Sequence, residues 1–154
     1  MQNNSKIAEI LNDLIRINRD RTEGYEKAID ELEKNDTDLQ ALYQQYAQQS
    51  RIFASQLSQE VNRLGEEAAE GTTASGKIYR AWMGIKSAFS SDERKSTLEE
   101  CEFGEDAAQK AYKQAISESS LFSQQLDNLI RSQQTDLKSA HDTIKRQRDS
   151  HAVR

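Results

Sequence analysis

Acidic side chains cluster in the stretch LEECEFGEDAAQKAY, which covers residues 98–112. Five carboxylates fall within eight positions, namely Glu99, Glu100, Glu102, Glu105 and Asp106. At helical spacing, Glu102 and Glu105 share a face with the apolar residues Leu98 and Tyr112. A metal site, a buried ion pair, or solvation at the helix edge would each explain acids on this face. The other three acids are expected to face solvent.

A di-metal centre inside a helical bundle has a recognisable ligand pattern. Two helices each supply one inward Glu, and the other two each supply a Glu-x-x-His pair. Glu102 and Glu105 fit this pattern, but Lys138 stands three residues before the one inward histidine, His141. The second predicted helix places Ser50 where a ligand is needed. Because the ligand set is incomplete, we predict no cofactor; iron or zinc held by Glu102, Glu105 and His141 is the alternative.

Two arginines provide a metal-free explanation for the inward acids. A buried carboxylate must be paired or hydrogen-bonded, and Arg21 and Arg51 lie near the polar middles of the first two predicted helices. We therefore predict a buried polar centre in which at least one acid contacts an arginine, a threonine or the histidine. Its residues are Glu102, Glu105, Arg51, Arg21, Thr22 and His141. Solvation of Glu105 at the helix edge remains the competing interpretation.

The composition indicates one helical domain over residues 1–154. The chain has 154 residues, no Pro, six Gly, 35% hydrophobic residues and a net charge of −5. The absence of Pro favours long helices, and the negative charge argues against nucleic acid as a partner. No apolar run has the length of a membrane span or a signal peptide, so membrane association is not expected. A single cysteine, Cys101, fits a reducing compartment, and we expect a cytoplasmic protein.

Hydrophobic periodicity predicts four long helices and one short helix. Their ranges are 5–34, 38–64, 74–90, 93–117 and 120–149. Ser5 and a Thr37–Gln40 capping box are expected to begin the first two helices, and Gly65 to end the second. The connection 65–92 contains the short helix, roughly 25 Å long, and can span the bundle. The second and third long helices are therefore expected to be parallel, as in a ferritin-like bundle.

The connection also carries the most distinctive apolar face of the chain. At helical spacing this face contains the only Trp, and its members are Ile78, Trp82, Ile85 and Phe89. A membrane-surface helix and a partner-binding helix are two functional interpretations. We expect instead that the face covers the bundle or an oligomer partner, because it is too large to leave exposed in a monomer.

Four segments together resemble a known family: LNDLI at 11–15, EGYEKA at 23–28, RAWMGIKSAF at 80–89 and ECEFGEDAAQKAY at 100–112. They are similar to uncharacterised bacterial four-helix-bundle proteins, a ferritin-like domain of unknown function. The resemblance covers nearly the whole chain. It implies an all-α, ferritin-like four-helix bundle that is often adjacent to stress-associated proteins, and it implies no catalytic residue.

Two function classes follow from these observations. The first is a non-catalytic bundle that acts through protein interaction or assembly, as a homo-oligomer or with a protein partner. The second is a metal-binding ferritin-like protein of the oxidase or storage type. The incomplete ligand set favours the first class, so we do not expect an enzyme.

Overall fold

A computed structural model describes residues 2–70 and 93–153, and every regular element in these two segments is helical. The long helices are α1 (Gln2–Glu31), α2 (Thr37–Arg63), α3 (Glu93–Ile116) and α4 (Gln124–Val153). A 3-10 turn, Ser119–Leu121, precedes α4. The short helix predicted at 74–90 and its apolar face (Ile78, Trp82, Ile85 and Phe89) lie outside the described residues.

The helix boundaries correct two predicted caps. The first helix begins three residues before Ser5, so Ser5 lies in its first turn rather than capping it. Asp36 precedes α2 without a side-chain capping bond, and the Gln40 side chain donates to the Glu33 carbonyl instead, 3.2 Å away. The predicted capping box with Thr37 is therefore wrong, since its Gln binds the preceding turn.

Glycine ends α2 in the predicted position. Gly65 has a φ of +77°, which an L side chain rarely adopts. Its N–H donates to the Asn62 carbonyl at 3.0 Å, and the N–H of Glu66 donates to the Val61 carbonyl at 3.2 Å. These two bonds form a Schellman motif, which satisfies carbonyls that the helix end would leave unpaired.

The fourth helix begins later than the predicted residue 120. The N–H of Leu126 donates to the Ser123 hydroxyl at 3.1 Å, so Ser123 caps the helix. The 3-10 turn of Ser119–Leu121 occupies the residues assigned to the helix start by periodicity. Polar residues that favour caps interrupt the helix here, which periodicity alone does not register.

Contacts between the helices define the topology. Asn18 on α1 contacts Tyr112 on α3, and Arg21, one turn later, contacts Glu105, so α1 and α3 run antiparallel. The α1–α2 turn makes those two helices antiparallel as well. The second and third helices are consequently parallel. This arrangement is the predicted ferritin-like connectivity.

Two apolar clusters fill the bundle at different levels. One contains Leu11, Leu14, Leu57, Val61 and Ile130, and the other contains Tyr25, Tyr43, Leu98, Cys101 and Ile144. Buried polar side chains lie between them, among them Asn18, Arg21, Ser50 and Glu105. The helical stripes are apolar toward their ends and polar near the middle, so helix packing brings the polar residues into one layer.

The third helix buries two adjacent rows of residues instead of the single row that was predicted. Thr97, Glu100 and Gly104 form a second buried row beside the row of Leu98, Cys101 and Glu105. Glu100 was expected to face solvent, and this expectation is wrong because its side chain is fully buried.

Within the described segments, no helix has an apolar stretch long enough to cross a bilayer.

Candidate functional site: a buried ion pair in the bundle centre

The centre of the polar layer is an ion pair between Arg21 and Glu105. The side chains are 1% and 0% exposed. Arg21 donates from Nε to Oε1 at 2.9 Å and from Nη2 to Oε2 at 2.8 Å. Such a two-point contact matches the planar guanidinium to the planar carboxylate and is stronger than a single hydrogen bond. Among the carboxylates of the acidic stretch, Glu105 is the one that the structure joins to the predicted arginine partner.

Further hydrogen bonds satisfy the remaining donors and acceptors of both charged groups. The Tyr25 hydroxyl donates to Oε2 of Glu105. The remaining nitrogen of Arg21, Nη1, donates to the Ser50 hydroxyl at 2.8 Å and to the Tyr46 carbonyl at 3.2 Å. These neutral partners satisfy donors and acceptors that would be costly to bury unpaired.

Hydrogen bonds continue from the ion pair through all four helices. Ser50 donates to Asn18 at 2.9 Å, and the Asn18 amide donates to the Tyr112 hydroxyl at 2.8 Å. Tyr112 then donates to Gln133 on α4 at 2.7 Å, and Gln133 donates to Gln56 on α2 at 3.0 Å. Each hydroxyl both accepts and donates, so the bonds have one direction from Arg21 toward the exposed Gln56. This series of hydrogen bonds links all four helices and fixes the position of each helix along its neighbours.

Burial and neighbouring charges fix the protonation states of Tyr25 and Arg21. Burial raises the pKa of the Tyr25 hydroxyl well above its ordinary value, and the charge of Glu105 raises it further. Burial lowers the pKa of Arg21, but the attraction of Glu105 outweighs it and the net pKa is raised. Tyr25 therefore remains a hydrogen-bond donor and Arg21 remains a cation near neutral pH.

Aromatic rings surround the guanidinium. The central carbon of Arg21 lies 5.2 Å from the Tyr25 ring centroid and 5.4 Å from that of Tyr46. Tyr25 also packs against Tyr43, with centroids 5.4 Å apart. The electron-rich ring faces stabilise the buried cation and exclude water from it.

Two other predicted members of the centre lie at its edge or outside it. Thr22 is half-buried, and its hydroxyl donates to the Asn18 carbonyl at 3.0 Å within its own helix. Arg51 is 45% exposed and pairs with Glu26, which is 51% exposed. Arg51 was expected in the centre; this is wrong because its position on α2 faces the outer surface, one residue beyond the inward Ser50.

The remaining two predicted members lie at the α3–α4 surface. Glu102 pairs with Arg148 near the end of α4, and His141 lies beside Asp106 and Asp142. Glu102 is turned toward Arg148 rather than toward the centre. His141 lies beside the inward row of α4, which consists of Leu137, Ala140 and Ile144. Their placement in the polar centre is therefore also wrong.

The three weak metal candidates consequently have three different environments. Glu105 is held by Arg21, Glu102 by Arg148, and His141 by two aspartates. In the part of the chain that the structure describes, no three His, Cys, Asp or Glu side chains form a group suited to a metal ion. A guanidinium at the centre also repels a cation, so the described residues do not fit the di-metal pattern of ferritin-like bundles.

Several members of the hydrogen-bonded chain were not assigned a role from the sequence. At helical spacing Tyr112 lies on the face of Leu98, and Gln133 lies on the face of Ile130 and Leu137, whereas Gln56 lies off the apolar face of its helix. A polar residue interrupting an apolar stripe was the available signal for Gln133 and Ser50. Nothing in the spacing alone could show that these residues meet across different helices.

Comparisons with known proteins agree with this architecture. A mutant of Dps1 from Mycobacterium smegmatis superimposes with a TM-score of 0.81 at 12% sequence identity, covering 96% of this chain and 97% of that chain. This likeness shows a ferritin-like four-helix bundle. No curated protein sequence matches this chain significantly. The model of a domain of unknown function, DUF2383, matches residues 6–118. The chain therefore belongs to the DUF2383 family, as a ferritin-like helical bundle.

Proposed function

We propose that this protein is a non-catalytic ferritin-like bundle that acts through assembly, with copies of itself or with a protein partner. The observation that carries the proposal is the Arg21–Glu105 pair. It occupies the place where a ferritin-like metal centre would need converging acids, and it uses the inward Glu105 for structure. On this proposal the buried centre holds the helices together, and the outer surface recognises other copies of the chain or a protein partner.

The outer surface offers apolar contacts suited to such recognition. Ile52 on α2 is 47% exposed and Phe103 on α3 is 40% exposed. An open groove of about 500 Å³ also runs between α1 and α2, lined in part by Thr22, Arg51 and Ala54. Large apolar side chains are enriched at protein contacts, so Ile52 and Phe103 are the positions at which assembly can be tested.

Light scattering coupled to size exclusion tests the proposed assembly. We expect the wild-type chain to form a discrete species larger than a monomer, or to bind a protein partner. Ile52→Glu or Phe103→Glu should weaken that contact by placing a charge in it. Gln45→Glu is the matched control, since it adds the same charge at another exposed position of α2. A chain that remains monomeric at all concentrations and retains no partner would contradict the proposal.

Metal analysis tests the alternative of iron or zinc binding. Protein purified without a histidine tag is expected to contain no stoichiometric metal, and added iron or zinc should leave its Tm nearly unchanged. The Glu105→Ala variant provides the comparison. Stoichiometric metal that stabilises the wild type but not this variant would establish the metal-binding class. A role in stress, which the family resemblance implies, and a cytoplasmic location remain predictions.

A further inference from the structure

Among the described side chains, two ionic contacts lie at the surface of the seam between α3 and α4. Arg148 of α4 pairs with Glu102 of α3. His141, about two turns earlier on α4, lies 2.6 Å from Asp106 of α3, measured from Nε2 to Oδ1. An arginine keeps its charge at any physiological pH, whereas a histidine changes charge near neutrality. Near neutral pH, only the second contact therefore contains a group that changes its charge.

Both ring nitrogens of His141 face carboxylate oxygens. In addition to the Asp106 contact, Nδ1 lies 3.2 Å from Oδ1 of Asp142. A neutral imidazole carries one N–H and one lone pair, while an ionised carboxylate has only acceptor oxygens. In a neutral ring, the nitrogen without a proton would then place its lone pair against a lone pair of the neighbouring carboxylate oxygen, which is unfavourable. The observed geometry is complementary to the doubly protonated ring.

We propose that His141 is a pH-dependent clamp between α3 and α4, which holds Asp106 strongly when it is protonated and weakly when it is neutral, because the neutral ring has one N–H for two carboxylates and no charge. The charged groups that act on the ring are Asp106 from α3 and Asp142 from α4. Lys138 lies 3.0 Å from the other oxygen of Asp142 and shares its charge. This clamp goes beyond the assembly proposed above and does not depend on it.

Within the described part of the chain, the clamp acts on a helix that has few other attachments on one side. The fourth helix packs mainly on α3 and touches α2 at few points, one of which is the Gln133–Gln56 bond. His141 lies beyond Leu137, in the half of α4 nearer the C-terminus. Release of the clamp should therefore loosen this half of α4 while the buried Arg21–Glu105 pair remains in place.

The direction of the pH effect follows from the environment of the ring. Burial by itself lowers the pKa of His141, but hydrogen bonds to Asp142 and Asp106 and their negative charges outweigh burial, so the net pKa is raised. A raised pKa in the folded protein favours folding at low pH. The stabilisation is complete below the ordinary value of about 6.5 and is lost as the pH rises through the folded-state value.

An NMR titration of the histidine ring protons tests the protonation of the clamp in the full chain. His141→Gln identifies the His141 signal by removing it, since the sequence has two histidines. We expect His141 to titrate above about 6.5, and Asp106→Asn to lower its pKa by roughly 0.5 or more. Glu102→Gln, which neutralises the other α3 acid of the seam, should lower it less. A His141 pKa at or below 6.5, or one that Asp106→Asn leaves unchanged, would overturn the proposal.

Amide hydrogen exchange tests the release of α4. After correction for the intrinsic pH dependence of exchange, protection in residues 138–150 should fall several-fold as the pH rises through the His141 titration. At both pH values His141→Gln should show the low protection that the wild type shows only at high pH, and α1 should change little in either protein. Equal pH responses of the wild type and the variant would show that His141 does not clamp the helix.

Discussion

Arg21 and Glu105 lie 84 positions apart in the chain and meet through two parallel hydrogen bonds, with both side chains withdrawn from solvent. The pair joins α1 to α3 between two apolar clusters. Neither charge can be rehydrated without opening the bundle, so each depends on the other. This dependence makes the stability of the bundle sensitive to substitution of either residue.

Removing one member of this pair should destabilise the protein strongly. Arg21→Met or Glu105→Leu alone leaves one buried charge without its partner, and we expect a loss of about 3–5 kcal/mol in the free energy of unfolding. Denaturant titration measures this loss. The double variant should lose much less than the sum of the two, because no unpaired charge remains. Additive losses would show that the two charges do not depend on each other.

The exposed arginine should behave differently. Arg51→Ala removes a surface ion pair with Glu26, both members of which are about half exposed. Water replaces such a pair well, so the expected change is about 0–1 kcal/mol. Comparing its denaturation midpoint with that of Arg21→Met is the direct measurement. If Arg51→Ala unfolds the protein as readily as Arg21→Met, the exposed position of Arg51 is incorrect.

The hydrogen-bonded chain should depend on the Tyr112 hydroxyl. Tyr112→Phe keeps the ring but removes the acceptor of Asn18 and the donor to Gln133. Burial of these two unpaired groups should cost about 1–3 kcal/mol. Thermal or chemical unfolding measures the cost, and Tyr112→Leu gives the additional effect of losing the ring. A Phe variant as stable as the wild type would mean that water or rearrangement satisfies both groups.

Gly65 should resist substitution because of its backbone conformation. Its φ of +77° is unfavourable for an L side chain, although among the described residues no atom beyond its chain neighbours lies within 4 Å of the position a Cβ would take. Gly65→Ala should therefore cost about 1–2 kcal/mol through the backbone alone. Gly65→Asn should cost less, since Asn tolerates this region. Equal stability of the Ala variant and the wild type would exclude the Schellman geometry.

Cys101 should be unreactive in the folded protein. Burial raises the pKa of its thiol well above the ordinary value, and the negative charges of Glu105 and Glu100 raise it further. Because the thiolate is the nucleophile, a thiol reagent such as DTNB should label Cys101 only after unfolding. The labelling rate in increasing denaturant should follow global unfolding. Rapid labelling of native protein would show that the α3 interior opens locally.

The periodicity of the sequence was enough to determine the helical class and the approximate helix positions. Apolar residues at spacings of three and four placed all four long helices, and the length of the 65–92 connection predicted parallel α2 and α3. Gly65 was identified as a helix end because few other residues adopt its backbone conformation. These features depend on local geometry, which neighbouring residues encode.

Only the tertiary structure decided which polar residues meet. Arg21 and Arg51 both lie near polar positions of their helices, yet one is fully buried and the other faces solvent. A difference of one position rotates a side chain by about 100° around a helix, enough to exchange the interior for the surface. Glu102 and Glu105 are three positions and hence about 60° apart around α3, and the rotation of α3 against its neighbours placed one in the interior and the other near the surface. The partners of buried charges are therefore set by how the helices pack, a property that the spacing within each helix does not contain.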